Sequence, residues 1–122
     1  MTDGGEYAAD RRTRIATAIL AHRKAGSESP VRFAAADADA PAVEYRDREI
    51  TVWVDEAERE RLDALLGEFH VFKVAQPATR KAPDGEVHLS ALADPKHAAD
   101  FVDRLFLSVF EFPDGYDLRV EE

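Results

Sequence analysis

At 122 residues without a cysteine, the chain has the length of one domain and excludes disulfides, thiolate metal sites and cysteine nucleophiles. Its 25 acidic residues against 16 basic ones give a net charge of −9, which repels nucleic acid and anionic membranes unless positive charge is clustered. No apolar run approaches the roughly 20 residues of a membrane span and the N-terminus lacks a signal-peptide core, so a cytoplasmic protein is expected.

In chain order, residues 6–25, "EYAADRRTRIATAILAHRKA", read as a helix closed by Gly26. Its apolar stripe (Ile15, Ala18, Ile19) is thin, as for a helix that rests on a core rather than crossing it. The stretch "GSESPVRFAAADADAPA", with two prolines and small polar residues, reads as a linker arm pinned by Val31 and Phe33. Residues 1–42 are therefore expected as a helix and arm packed on a domain spanning 43–122.

Within that domain, "VEYRDREITVWV" alternates as strands do. Ile50, Val52 and Val54 share one face, and Thr51 and Trp53 the other. A helix follows, with Asp55 and Glu58 spaced as a capping box, Leu62, Leu65 and Leu66 as its buried stripe, and Gly67 as its stop. "FHVFKVAQ" and "EVHLSAL" read as strands flanking a turn-rich loop. Asp94 and Pro95 open a second core helix whose buried face is Ala98, Phe101, Val102, Leu105, Phe106 and Val109. "YDLRVE" closes the chain as a strand. From residue 49 the order is β-α-β-β-α-β, which predicts an α+β, ferredoxin-like antiparallel sheet with two helices on one face. The helix at the N-terminus and a short "VEY" strand are additions to it.

Such a sheet leaves one face without helices, and alternation puts Trp53, His88 and Ser90 there as an open-face or dimer contact. "VWV" resembles the hydrophobic–aromatic–hydrophobic first motif of RNA-recognition sheets. "EVHLSAL" lacks the basic, glycine-containing, doubly aromatic second motif, so no family is assigned on it. A second candidate is the helix start "DPKH", where Lys96 and His97 meet free backbone N–H groups. With Arg80 and Lys81 of the preceding loop, they are candidate ligands for a small anion. The roughly 20 Å length of the intervening strand argues against one pocket using both pairs.

The third candidate is the N-terminal helix. Arg11, Arg12, Arg14, Arg23 and Lys24 give residues 1–26 five bases against three acids, on an otherwise acidic chain. They are either nucleic-acid contacts or docking charges for the chain's own acidic body or its twin. The four histidines have no metal-ligand spacing, and no acid, base and nucleophile assemble, so neither metal, cofactor nor enzyme is expected. The 12 arginines, 4 lysines and many Ala and Asp residues resemble the composition of proteins from salt-loving archaea, or from a GC-rich genome. The expected function is a non-catalytic, homodimeric binding or regulatory module recognising a protein or small anionic ligand. A nucleic-acid-associated regulator using the basic helix is the alternative. Leu107, off the main helical stripe, adds to the case for a dimer.

Overall fold

A computed structural model describes residues 4–26, 30–35, 41–75, 85–113 and 115–121. Six strands form one sheet: β1 (Val31–Ala35), β2 (Ala42–Arg46), β3 (Glu49–Trp53), β4 (Lys73–Ala75), β5 (Glu86–Ser90) and β6 (Leu118–Glu121). Their order is β4-β5-β3-β2-β1-β6, and every neighbouring pair is antiparallel. The helices are α1 (Gly4–Ala25), α2 (Glu56–Glu68) and α3 (Pro95–Arg104), the last continuing as a π-helical turn at Leu105–Val109. The chain is thus an α+β protein with a six-stranded antiparallel sheet and three α-helices.

The strand order differs from a ferredoxin-like sheet in one place. β4-β5-β3 stand as that topology requires, but β6, expected beside β3, pairs with β1 at the far edge. The β1–β2 hairpin occupies its place. Residues 31–35, read as part of a linker arm, alternate Val31 and Phe33 into the core and form β1 instead. A boundary at residue 42 consequently falls inside β2. The connection from β2 to β3 is a two-residue turn at Asp47 and Arg48, both with positive φ (48° and 62°), as a tight hairpin matching the sheet's twist demands.

One sheet face is apolar: Val31, Phe33, Val43, Tyr45, Ile50, Val52, Val87, Leu89 and Leu118 are all buried. They form a single cluster with Ile15 and Ile19 of α1, Leu62 and Leu65 of α2, and Phe101, Val102, Leu105 and Phe106 of α3 and its extension. All three helices therefore lie on this face. Their starts follow from local chemistry. Asp55 and Glu58 exchange both capping-box bonds (2.8 and 2.9 Å), and the Asp94 carboxylate accepts from the His97 N–H at 2.8 Å ahead of Pro95. α2 runs past Gly67 to Glu68. The strand expected from Phe69 shortens to Lys73–Ala75, because Phe69 and Phe72 turn inward toward Phe101. The π-helical turn, closed by Phe110 N–H to Leu105 C=O at 3.0 Å, re-aims this segment and leaves Leu107 half-buried against the core. Its predicted exposure, one ground for a dimer, is not seen.

α1 is fastened by charge. Arg11 is 3% exposed and its Nε donates to Asp103 Oδ1 of α3 at 2.8 Å, while Asp103 is 1% exposed. Nη1 of Arg11 donates to the Tyr116 carbonyl at 3.1 Å, and the guanidinium lies 4.1 Å over the Tyr116 ring. The Tyr116 hydroxyl returns a 2.9 Å bond to the same Asp103 oxygen, and burial together with that carboxylate pushes the phenol far above its ordinary range. Removing one partner of a buried ion pair leaves the other uncompensated. Asp103→Ala is therefore expected to lower unfolding free energy in urea titrations by about 3–5 kcal/mol. The double change Arg11→Met with Asp103→Leu, which removes both charges, is expected to recover most of that loss.

Candidate functional site

The strand residues that alternate away from the helices form a second face, on which none of the described helices lies. β3 presents Glu49, Thr51 and Trp53, β5 presents Glu86, His88 and Ser90, β2 presents Glu44 and Arg46, and β4 presents Lys73. Register puts Trp53 opposite Glu86, Thr51 between Glu44 and His88, and Ser90 between Glu49 and Lys73. The Trp53 side is not screened by α1, which packs on the other face, and this residue remains 43% exposed. Together Pro30, Glu44, Arg46, Glu49, Thr51, Trp53, Glu86 and His88 line a shallow depression of about 210 Å³.

Its centre is a hydrogen-bonded network. The His88 Nε2 meets Glu86 Oε2 at 2.6 Å, and Nδ1 meets Glu49 Oε1 at 2.9 Å and Thr51 Oγ1 at 3.2 Å. The Trp53 indole N–H donates to the other Glu86 oxygen at 3.3 Å. Partial burial opposes a charged imidazole, but hydrogen bonds to Glu86 and Glu49 and the charges of both carboxylates outweigh it, so the His88 pKa is raised. With a carboxylate on each ring nitrogen, both nitrogens are placed to donate in the charged form. Alternation along each strand identifies Trp53, His88 and Ser90 but not their acidic neighbours. Glu86 was legible as the i−2 residue of a strand, on the same face as His88. Glu49 and Glu44 needed the pairing of β2, β3 and β5.

The other predicted residues are dispersed. Lys96 is exposed in the first turn of α3, while the His97 ring stacks on Phe72 (5.6 Å, 17° between planes) and lies 5.6 Å from Phe69. Arg80 and Lys81 lie outside the described residues. On α1, Arg11 is buried with Asp103 and Arg12 pairs with Asp100 at 3.2 Å. Arg14 donates to the Leu118 carbonyl at 2.9 Å, and Arg23 donates to the Tyr45 hydroxyl and the Ala93 carbonyl at 2.7 Å each. Lys24 is exposed. The four arginines are thus engaged by their own chain. Among the described residues, no group of three or more His, Asp or Glu side chains is arranged to hold a metal ion.

Fold and face together define an α+β protein with one helix-covered side and one open polar sheet face built around a histidine–carboxylate network. The chain belongs to the family of unknown function DUF7975, whose model matches residues 1–122. Comparison with curated proteins and with solved structures gives no match. No helix among the described residues is long and apolar enough to cross a membrane.

A raised folded-state pKa fixes the sign of the pH dependence. His88's contribution to stability is fully present below its unfolded pKa near 6.5 and is lost as pH rises through the folded value. Thermal unfolding of the wild type and of His88→Gln across that interval is expected to show their difference shrinking as pH rises. A difference independent of pH would mean that the imidazole is not held as a cation by Glu49 and Glu86.

Proposed function

We propose that this protein is a non-catalytic binding module whose recognition surface is the open sheet face around Trp53. One observation carries the reading. The helices bury one side of the sheet, whereas the other bears a half-exposed indole tied into an ordered polar network beside a depression. An aromatic with a wet polar end is a common anchor in protein recognition. Of the two ligand classes raised by the sequence, a protein partner fits this shallow face better than a small anion. The anion reading rests on Lys96 and His97, where the imidazole packs on phenylalanines and its backbone N–H is taken by Asp94. The nucleic-acid alternative loses support because Arg11, Arg12, Arg14 and Arg23 serve contacts within the chain.

The chain's single tryptophan makes the reading directly testable. In an NMR screen of the labelled protein against peptides of acidic, neutral and basic composition, binding is expected to move the Trp53 indole and His88 ring signals. Shifts confined to α1 or to Lys96 and His97 would place recognition elsewhere.

Self-association is a second reading, favoured by a specific feature. β6 is an edge strand, and beside it Thr13, Arg14, Thr17, Ala18, Ala21 and Val120 line a shallow groove. Light scattering in molar salt, where repulsion between chains of charge −9 is screened, is then expected to give a dimer mass. A monomer at all concentrations would remove this reading and leave the first intact.

A further inference from the structure

The chemistry of the depression narrows what it can accept. Three carboxylates (Glu44, Glu49 and Glu86) face one guanidinium (Arg46) across its lining, and the Trp53 indole forms one wall. Lys73 stands on the same face one row away, opposite Ser90, and Arg32 stands across from Glu44 beyond the lining. An acidic concavity with an exposed indole attracts a cation twice, through the carboxylates and through the ring's negative face. The same charges disfavour nucleic acid. They also disfavour a second copy laid face to face, since each brings its own carboxylates and a net charge of −9. The face is a shallow sheet surface rather than an enclosed pocket, a shape that suits a side chain projecting from another protein.

Resting on the reading of this face as the recognition surface, we propose that the depression receives a lysine or arginine side chain of a protein partner, seated over Trp53 and the carboxylates of Glu49 and Glu86, whose intervening space His88 fills. The site already holds a titratable base of its own. His88 lies between Glu49 and Glu86, facing Thr51 as well, with Glu44 and Arg46 on the neighbouring strand and Lys73 one row away. When its ring is protonated it neutralises part of the acidic wall and repels an incoming cation. When it is neutral, only one ring nitrogen still donates, and the charge of both carboxylates is left to attract the ligand. Partner binding and His88 protonation therefore oppose each other, and binding tightens as pH rises through the His88 titration.

The test uses the full chain and Gly/Ser peptides carrying a pair of lysines, arginines or glutamates, with a free diamine as the small-cation probe, read by Trp53 fluorescence. Lysine or arginine peptides are expected to change the emission saturably, with the diamine much weaker. Glu86→Gln is expected to weaken the lysine peptide about fivefold, the upper range for a partly exposed pair. Glu60→Gln, which removes the same charge from the exposed surface of α2, should leave binding unchanged. Affinity is expected to increase with pH through the His88 titration and to lose that dependence in His88→Gln. Should that variant fold poorly, the wild-type imidazole titrated by NMR with and without lysine peptide gives the same answer, with peptide lowering its pKa. Equal weakening by Glu60→Gln would mean attraction to bulk charge only and would overturn the proposal. A diamine as tight as the peptide would assign a small ligand instead of a protein. Emission that depends on protein concentration alone would make the occupant a second copy. A response to glutamate peptides only would refute the cation while keeping the face as the recognition surface, and silence to every probe would count against both.

Discussion

The buried pair of Arg11 and Asp103 fastens α1 to the side of the sheet that the other helices cover. Withdrawing two charges from water is strongly unfavourable unless their geometry is good and the remaining donors and acceptors are met. Here they largely are, through the Tyr116 carbonyl, the Tyr116 hydroxyl and the ring beneath the guanidinium. The result ties the first helix, the third helix and the segment leading to the last strand at one point. With Ile15 and Ile19 delivered to the core, α1 becomes part of the helical layer. It is then not available to lie across Trp53. Arg14 and Arg23, on the same helix, extend the fastening to Leu118, Tyr45 and Ala93, so the concentration of arginine in this segment serves adhesion within the chain.

A second constraint shapes what the open face presents. Had β6 lain beside β3, the neighbours of Thr51 would have come from the C-terminal strand. The β1–β2 hairpin takes that position and brings Glu44 and Arg46 next to Glu49 and Thr51. The hairpin therefore supplies one wall of the depression, Glu44 and Arg46, beside Glu49 of β3 and Glu86 of β5. The tight turn from β2 to β3 carries two non-glycine residues at positive φ; it is held on one side by α1, where the Asp47 N–H reaches His22 at 3.4 Å, and on the other by the Ala91 N–H, which donates to the Arg48 carbonyl at 2.8 Å.

What was legible in the sequence follows from which signals are local. The caps at Asp55 and Asp94, the leucine stripe of α2 and the phenylalanine face of α3 depend on spacings within one element and can be read directly. Alternation likewise assigned Trp53, His88 and Ser90 to a common face without any knowledge of neighbours. Strand order is not local. "VRFAA" carries its pattern in five residues beside an alanine–aspartate run, too weak to outweigh the flanking prolines and small residues. Without β1 as a partner, β6 has nowhere to pair but beside β3. For the site, the histidine was visible, but Glu49 reaches it only across a strand pair. The anion seat at Lys96 and His97 followed from helix-end chemistry, which does not show that the imidazole is occupied with Phe69 and Phe72.

With α1 locked onto the opposite side, the Trp53 face is expected to be open in solution. Acrylamide quenching of Trp53 in dilute, monomeric protein tests it most directly, since the chain has no other tryptophan. The structure predicts solvent-exposed, red-shifted emission that acrylamide quenches readily. Blue-shifted emission resistant to quencher in a chain of monomer mass would show the face covered by the protein's own segments, and would contradict the account.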